Sequence, residues 1–271
     1  MATHPDVPPV INIQNMTSHY GHVKVLDDIN LAIAQREIMV VMGHSGSGKS
    51  TLFRHILGLK QPSSGSIEVL GKQLQGLNKK DLYALRKNVG VAFQNGALFS
   101  SLTVLENVEL PLREHTDLDD NTIRIMTRMK LEQMNLAEYE DLMPSELSGG
   151  MLKRAGLARA VVMDPKLLFF DEPSAGLDPV TSAELDQLIL QLRDALNMTI
   201  VIVTHELESA FSVADRITVM DKGKQILTGT KEEIRDSTDT RIVNMLARKA
   251  RHEEIDGDAY LDRLMKTKLS K

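Results

Sequence analysis

The sequence EIMVVMGHSGSGKS, residues Glu37–Ser50, joins an unbroken apolar run to a glycine-rich loop. A short apolar run of this kind is typical of a buried parallel strand. The loop fits the pattern G-x-x-x-x-G-K-[ST] and precedes a helical stretch, which is the context that a phosphate-binding loop needs. Backbone N–H groups of such a loop surround the β-phosphate, Lys49 reaches the β/γ oxygens, and Ser50 binds Mg²⁺. We therefore expect a nucleotide site where this strand ends.

Four further apolar runs indicate an α/β fold with a mainly parallel core sheet, because helical patterns lie between most of them. They are Val89–Phe93, Lys166–Glu172, Thr199–His205 and Arg216–Met220. Asp221–Lys224, with the sequence DKGK, is typical of a hairpin turn into a final strand.

Three other regions depart from this alternation of strands and helices. Ile11–Asn15 and Ile29–Ile33 alternate apolar with polar residues, which predicts an antiparallel N-terminal β-subdomain. Between Val104 and Met163 no segment has a convincing strand pattern, so we expect an inserted helical lobe at about residues 97–163. From Ser237 onward the chain is polar and charged with helical spacing.

The composition excludes several classes of protein. The chain has 271 residues, of which 42% are hydrophobic and 25% charged, and its net charge is −5, so bulk nucleic-acid binding is not favoured. It has no cysteine and hence no disulfide framework, which indicates a reducing compartment. The N-terminus lacks a signal-peptide layout, and the apolar runs are far shorter than the roughly 18–20 residues of a membrane span. We expect a soluble cytoplasmic protein that works at a membrane only if another protein holds it there.

Polar residues follow three of the predicted strands. Asp171 and Glu172 end the run LLFFDE, where the first carboxylate is placed to hold Mg²⁺ through water and the second to polarise the attacking water. Gln94 follows Val89–Phe93, and its amide can reach both Mg²⁺ and that water. His205 can touch the γ-phosphate. Taken alone, however, a glutamine in this position is usually just solvated, and the histidine is more often part of a helix start.

Two other features have both a functional and a structural interpretation. Tyr20, which we place in a loop, can stack on adenine, although, taken alone, a partly buried loop tyrosine is the better explanation. In ELSGGM, residues Glu146–Met151, the paired glycines open a helix and allow a backbone to come close to an anion. The structural alternative is a serine-capped helix with a loose entry.

In order, the chain contains Tyr20, GHSGSGKS, Gln94, LSGGM, LLFFDE, SAGLDP and THE. This order and spacing resemble the nucleotide-binding subunit of ATP-binding-cassette (ABC) transporters over about residues 10–235. The resemblance implies the ABC cassette of the P-loop NTPases and an ATPase activity coupled to transport. We accordingly expect residues 1–9 to be an N-terminal extension, 10–236 an ABC ATPase domain, and 237–271 a C-terminal helical extension.

The resemblance also implies roles for individual residues. The catalytic group comprises Glu172 as the base, His205 as the switch histidine and Gln94 as the Q-loop glutamine. The Mg²⁺ ligands are Ser50, Gln94 and Asp171. The ATP-binding residues are Tyr20, Gly43, His44, Ser45, Gly46, Ser47, Gly48, Lys49, Ser50, Thr51, Ser148, Gly149, Gly150 and Asp178. Asp178 belongs to the loop that crosses the dimer.

In this family the LSGGM element is supplied by a second subunit. The nucleotide is then sandwiched between Lys49 of one chain and Ser148 of the other, with two sites in a two-fold dimer. This accounts for a second anion-binding element about a hundred residues after the first. Met151 stands where the commonest signature has glutamine, which leaves the signature subtype open.

The strings GALF…LTVLENVELPLREHT and LSGGMLKRAGLARA resemble the ATPases of the Mla systems, which move phospholipids between the membranes of Gram-negative bacteria. This resemblance implies two copies of the chain on the cytoplasmic face of the inner membrane, an integral membrane permease, a periplasmic MCE-domain lipid-binding protein and a small STAS-domain protein. Apolar residues of that region would line the groove for a permease helix, although ordinary packing explains about half of them. They are Leu98, Phe99, Leu102, Val104, Leu105, Val108 and Leu110.

Other classes stay open. An importer ATPase for amino acids or metals would keep the same catalysis with another permease. Two non-transport classes are not favoured. A DNA-repair ABC ATPase normally has a long coiled coil between Gln94 and Ser148, where this chain has only 53 residues, and a ribosome-associated one normally has two cassettes, where this chain has one. In the tail, Ile242, Val243, Met245 and Leu246 share a helical face, and the spacing recurs after Asp256 at Tyr260, Leu261, Leu264, Met265 and Leu269. We expect this extension to pack on the other ATPase subunit or on the STAS-domain protein, and the alternative is a solvated tail.

Overall fold

The structure is a computed structural model that describes residues 8–248. The chain divides into two compact units, with the boundary between Asp236 and Ser237. The strands are β1 Ile11–Tyr20, β2 Val23–Ile33, β3 Ile38–Gly43, β4 Ser64–Val69, β5 Lys72–Gln73, β6 Val89–Ala92, β7 Leu167–Asp171, β8 Thr199–Thr204, β9 Arg216–Asp221 and β10 Lys224–Thr230. The helices are α1 Lys49–Ile56, α2 Lys79–Arg86, α3 Val104–His115, α4 Asp120–Gln133, α5 Gly149–Val161, α6 Pro179–Leu196, α7 Leu207–Val213, α8 Lys231–Arg235 and α9 Thr240–Leu246.

A six-stranded sheet in the order β10-β9-β3-β8-β7-β6 forms the centre of the first unit. Every pair in it is parallel except β9 with β10, which are joined by the predicted hairpin at Lys222 and Gly223. The apolar runs form these strands because β3 and β8 are buried along their whole length. The prediction of an α/β fold with a mainly parallel core sheet is confirmed.

A second sheet, in the order β2-β1-β4-β5, is antiparallel, as the alternating N-terminal pattern predicts. Ile11 pairs with Ile33 on β2 and with Val69 on β4. β4 and β5 were not predicted. The placement of Tyr20 in a loop was wrong, because β1 continues past a register shift between Gln14 and Thr17 and ends at Tyr20.

The segment between β6 and β7 contains α3, α4, two 3₁₀ turns and α5, and no strand. The expected helical insertion is therefore confirmed. α3 begins with a capping box in which Thr103 and Glu106 bond each other's backbone N–H groups. Of the apolar residues expected in a permease groove, Val104, Leu105 and Val108 are buried, so they serve the packing of this lobe.

One apolar core lies between the antiparallel sheet, α1 and the central sheet. Leu52, Phe53 and Ile56 form the buried face of α1. The ring of Phe53 meets that of Phe169 on β7 edge to face, with 5.1 Å between the ring centroids. Because α1 is anchored in this way, the loop that precedes it is held at the carboxyl end of β3.

In the second unit, α9 contains Ile242, Val243, Met245 and Leu246, and Asp239 caps it by accepting a hydrogen bond from the N–H of Arg241. The predicted continuation at Tyr260–Leu269 lies outside the described residues. Among residues 8–248, no helix combines the length and the apolar character that a membrane crossing needs.

Candidate nucleotide site

The loop Gly43–Ser50 connects β3 to α1 and requires glycine for steric reasons. A Cβ on Gly43 would lie 2.3 Å from the carbonyl oxygen of Met220 and 2.6 Å from Oγ of Ser47. Gly48 has φ +104° and a Cβ there would lie 2.7 Å from Leu26, so the loop packs against β2 as well. The backbone thus forms a close-fitting cradle at the end of β3.

Lys49 is buried in this cradle. Its Nζ donates to the carbonyl oxygens of Gly43, at 2.7 Å, and His44, at 3.0 Å. Burial lowers the pKa of the ammonium group, while the carboxylates of Glu172 and Asp171 act in the opposite direction. A cation held among loop carbonyls and beside two carboxylates is positioned to meet an anion that enters the loop.

The strands β3, β8, β7 and β6 are parallel neighbours that end at one edge of the sheet. Their registers pair Met42 with Thr204, Asp171 with Val203, and Ala92 with Phe170. The residues that leave this edge are therefore Gly43, His205, Glu172 and Gln94. The structure brings together the predicted phosphate loop and all three predicted catalytic residues, and the Gln94 side chain is exposed there.

Glu172 and His205 form a direct pair. Nδ1 of His205 lies 2.9 Å from Oε2 of Glu172, and the backbone N–H of His205 donates to the same oxygen at 3.3 Å. The Glu172 side chain is largely shielded from solvent, whereas the histidine is exposed. The carboxylate thus retains Oε1 for another partner, such as a water molecule.

Asp171 precedes this pair at the end of β7. Burial raises the pKa of its carboxyl group, and the charge of Glu172 adds to the rise, while Lys49 and Arg54 oppose it. Two adjacent carboxylates repel each other when both are ionised, so a cation beside them is favoured. No group of three or more His, Cys, Asp or Glu side chains comes together as metal ligands anywhere in residues 8–248.

Tyr20 lies beside the first turns of α1. The nearby Arg54 side chain is the main cause that lowers the pKa of the phenol, with Lys60 and Thr51 acting in the same direction and partial burial opposing them. The ammonium group of Lys60 lies over one face of the ring, 3.1 Å from its centroid. Tyr20 as a whole remains 45% exposed, although Lys60 covers one face of its ring.

Ser148 caps α5, and its hydroxyl accepts a hydrogen bond from the N–H of Met151. Gly149 is open to solvent, but a Cβ on Gly150 would lie 2.9 Å from Cγ2 of Thr181 at the start of α6. Asp178 caps α6, so the starts of both helices lie together. We call this surface, made by Ser148, Gly149, Gly150 and Asp178, the α5–α6 edge.

Lys153 on α5 hydrogen-bonds to the backbone that follows Glu172. The sequence did not predict this contact. Its Nζ donates to the carbonyl oxygens of Pro173, at 2.5 Å, and Ala175, at 2.7 Å. Burial lowers the pKa of this ammonium, and Glu206 and Glu172 raise it. A lysine after a glycine-rich helix start has no distinguishing pattern, so the sequence contains no signal for this contact.

The structure does not bring the α5–α6 edge into the phosphate loop of the same chain. Within the part of the chain that the structure describes, no hydrogen bond or ion pair joins Ser148 or Asp178 to Gly43–Ser50. The predicted ATP-binding residues therefore form two separate groups.

Comparison with known proteins places these motifs in context. The family model described as ABC transporter matches residues 26–175. The chain is 42% identical over 237 residues to the intermembrane phospholipid transport system ATP-binding protein MlaF of Haemophilus influenzae, covering 88% of this chain and 90% of that protein. It is 38% identical to the protein of the same name from Escherichia coli K12, covering 89% of each. It is also 40% identical to a probable ribonucleotide transport ATP-binding protein of Mycobacterium leprae, covering 82% of this chain and 64% of that protein.

Solved structures with the same fold include two ABC proteins. CbiO1 of Clostridium perfringens, part of the CbiONQ transporter complex, has a TM-score of 0.79 and 31% identity, with 89% of this chain and 97% of that chain covered. A dimeric ATP-binding cassette in a post-hydrolysis state, bound to ADP and Pi, has a TM-score of 0.74 and 30% identity, with 81% and 98% covered.

Proposed function

The chain belongs to the ABC transporter family and is an ATPase similar to MlaF, and from that membership we propose that it powers phospholipid transport between the inner and outer membranes of a Gram-negative bacterium. The observation that supports hydrolysis most directly is the pairing of Glu172 with His205 beside Gly43–Ser50. The phospholipid substrate rests on similarity to proteins that bear that description.

In the chain's own half of the site, the loop and Lys49 bind the phosphates. Backbone N–H groups at the start of α1 face the same direction as the positive end of the helix dipole, which favours an anion. Gly43 and Gly48 have no side chain, so the loop backbone can lie close to the phosphates although neighbouring atoms crowd both positions. Tyr20 stacks on adenine.

Glu172 accepts a proton from the attacking water as general base, and His205 fixes the orientation of its carboxylate. The 2.9 Å contact occupies only Oε2, so Oε1 is left to bind water. Gln94 leaves the neighbouring strand at the same edge and orients the same water through its amide. Because an amide is neutral, it does this without changing the charge of the site.

The oxygen donors at this edge fit Mg²⁺. Ser50 is exposed at the start of α1, and Asp171 with the adjacent Glu172 offers the hard oxygen donors that Mg²⁺ prefers. We assign Ser50, Asp171 and Gln94 as the residues that would hold the ion. When bound, Mg²⁺ would neutralise charge on the β- and γ-phosphate oxygens.

The α5–α6 edge acts on the nucleotide of a second copy. Ser148 and Gly149 are exposed at a helix start and Gly150 is half-buried beside them, which suits the γ-phosphate of a partner's ATP. Asp178 caps the adjacent helix and would cross the dimer beside it. No hydrogen bond or ion pair joins Ser148 or Asp178 to Gly43–Ser50 of the same chain, which supports action across a two-fold dimer, and a related cassette is itself dimeric.

A permease would bind next to Gln94. Phe93 and Phe99 are 46% and 53% exposed on either side of the Gly96 turn, which is unusual for large apolar residues. A helix from an integral membrane protein would cover them and hold the chain at the cytoplasmic face of the inner membrane. An MCE-domain protein and a STAS-domain protein would complete the assembly. The C-terminal extension at 237–271 would add contacts to the other ATPase subunit or to the STAS-domain protein.

Purification of the chain with its native membrane partner tests this function. We expect two copies of the chain, a permease and bound phospholipid in native mass spectrometry, and ATP-dependent movement of labelled phospholipid between vesicles. The same complex with Glu172→Gln should bind the lipid but not move it. Recovery of bound ribonucleotide, amino acid or metal in place of lipid would show that the chain serves another class of transporter. Ribonucleotide is the first alternative, because the Mycobacterium leprae relative is described as a probable ribonucleotide transport protein.

Truncation after Ser237 tests the extension. We expect weaker association of the dimer or of the STAS-domain protein in native mass spectrometry, with the ATP affinity of the monomer unchanged. Assembly equal to that of the full chain would remove this part of the proposal.

A further inference from the structure

Lys60 makes an unusual contact with Tyr20. Its ammonium group lies 3.1 Å from the ring centroid, well inside the roughly 6 Å limit of a cation–π interaction. The same nitrogen donates to the carbonyl oxygen of His19 at 2.8 Å. Lys60 itself is half-buried in the connection between α1 and β4. One face of the Tyr20 ring is thus covered by a lysine whose head group is held in place.

The connection that contains Lys60 is bonded to the end of β1. The N–H of Ser63 donates to the carbonyl oxygen of Thr17, at 2.8 Å, and the N–H of His19 donates to the Ser63 hydroxyl, at 3.2 Å. These bonds fix the backbone from which Lys60 extends. The cation therefore stays over the ring because both ends of its side chain are attached to the same strand end.

Arg54 of α1 lowers the pKa of the Tyr20 phenol, so this side chain lies close to the hydroxyl end of the ring. Because Lys60 occupies one face of the ring, a planar base would stack on the other face. A cation on the covered face withdraws ring electron density towards itself, which makes the free face a better partner for an electron-rich purine. The ring is also ordered in advance, so base binding does not have to immobilise it.

We propose that Lys60 is a determinant of purine-base affinity, acting through the Tyr20 ring and not through the phosphates. This inference rests on the proposed stacking of adenine on Tyr20. Ordering one side chain costs about 0.5–1.5 kcal/mol, so loss of Lys60 should weaken base-dependent binding about two- to tenfold. Loss of Lys60 should not change the affinity for a ligand that has phosphate groups but no base.

The test measures equilibrium binding of ADP and of inorganic pyrophosphate, which lacks the base, to the full chain. Lys60→Met removes the charge and keeps the side-chain length, and Lys60→Arg keeps the charge. Lys80→Met, at an exposed lysine of α2, is the matched control. We expect Lys60→Met alone to weaken ADP two- to tenfold, with pyrophosphate unchanged for every variant and Lys60→Arg close to the original chain.

A double-mutant cycle with Tyr20→Ala tests whether Lys60 affects ADP binding through the Tyr20 ring. If Lys60 acts through the ring, Lys60→Met has no further effect on ADP in the Tyr20→Ala background. Tighter ADP binding by Lys60→Met would show that the lysine competes with the base, and an equal loss of pyrophosphate would show direct action on phosphate. Either result overturns the inference. If Tyr20→Ala itself leaves ADP affinity unchanged, the proposed adenine stacking fails instead.

Discussion

The Oε2 atom of Glu172 lies 2.9 Å from Nδ1 of His205 and also accepts the backbone N–H of that histidine. Glu172 has φ +51°, a conformation that is uncommon for residues other than glycine, and its own N–H donates to the carbonyl oxygen of Val203 at 2.8 Å. β8 and the residue that follows it therefore hold both the backbone and the side chain of Glu172. The carboxylate and the imidazole are positioned as one unit.

Glu172→Gln is expected to separate ATP binding from hydrolysis. The amide keeps the shape of the side chain but cannot accept the proton of water, so turnover should fall by at least about 10²–10⁴-fold. ATP should still bind, and a closed ATP-bound dimer should accumulate, because hydrolysis is the step that reopens it. Steady-state turnover and size-exclusion chromatography with ATP measure both effects. Glu114→Gln, at an exposed position on α3, is the control, and near-normal turnover of Glu172→Gln would mean that another group orients the water.

The two signature glycines should respond differently to alanine. At Gly149 a Cβ meets no other atom, so Gly149→Ala should keep or slightly raise the thermal stability, since alanine favours a helix by roughly 0.5–1 kcal/mol. Gly150→Ala places a Cβ 2.9 Å from Thr181 and should cost about 1–3 kcal/mol of unfolding free energy. Thermal unfolding measures the effect of each substitution on stability, and ATPase rates measure its effect on activity.

If the α5–α6 edge binds a partner's nucleotide, Gly149→Ala should lose ATPase activity although its stability is intact. A stable Gly149→Ala variant with full activity would mean that the exposed backbone at this position does not approach the nucleotide.

Asp186 should make stability dependent on pH. Burial is the main cause that raises the pKa of this carboxyl, which accepts a hydrogen bond from Ser209 Oγ at 2.6 Å. When the folded-state pKa lies above the unfolded-state pKa, the carboxyl group contributes to the free energy of unfolding. That contribution is fully present below the unfolded pKa and is lost as pH rises through the folded pKa. Asp186→Asn cannot ionise and can still accept the Ser209 hydrogen bond. It should therefore gain stability relative to the original chain as pH is raised from about 4 to about 8.

Asp194, on the same helix, provides a control of opposite sign. The hydrogen bond from Arg193 is the main cause that lowers the pKa of this exposed carboxyl, so its contribution is present at high pH and lost as pH falls. Asp194→Asn should show only a small effect, because exposed ion pairs are weak. Thermal unfolding across the pH range checks both variants, and a pH profile of Asp186→Asn parallel to that of the original chain would contradict the assignment.

The strands around the phosphate loop could be predicted to within one residue, because burial on both faces leaves an unbroken apolar run. Glu37–Gly43 was expected and Ile38–Gly43 is observed, and Thr199–His205 became Thr199–Thr204. β4, with the sequence SGSIEV, was missed because only Ile67 and Val69 are buried within it. A pattern of two apolar residues in six is too weak to indicate a strand.

The residues at the carboxyl ends of the strands were also predictable, because each follows a recognisable apolar run. The contacts of Lys60 with Tyr20 and of Lys153 with Pro173 were not. In both, a lysine reaches a residue 20 or more positions away, and its partner is a ring face or a backbone carbonyl. Neither partner has a residue-type signature, so only the folded arrangement reveals them.

Ser148→Arg and Lys49→Ala should damage different halves of a composite site. Ser148 lies at the α5–α6 edge without a bond to Gly43–Ser50, so Ser148→Arg should leave ATP binding to the monomer almost intact. It should abolish hydrolysis, because a bulky cation would stand where the signature backbone meets the γ-phosphate of the partner's ATP. Lys49→Ala removes the cation that lies in the chain's own loop, so this variant should bind ATP poorly. ATP titration and ATPase assays of each variant alone establish these two phenotypes.

Mixing the two variants then tests action across the dimer. In a heterodimer one site combines both lesions, while the other joins an intact Lys49 loop to an intact Ser148 signature. If a single intact composite site is able to turn over, part of the ATPase activity should return on mixing, and it should rise and fall with the fraction of heterodimer. If each signature served its own chain, both chains would remain defective and mixing would restore nothing. Because strict coupling between the two sites would also silence the mixture, the decisive negative is a binding result. A Ser148→Arg monomer that fails to bind ATP would place Ser148 in its own chain's pocket and end the model of a shared site.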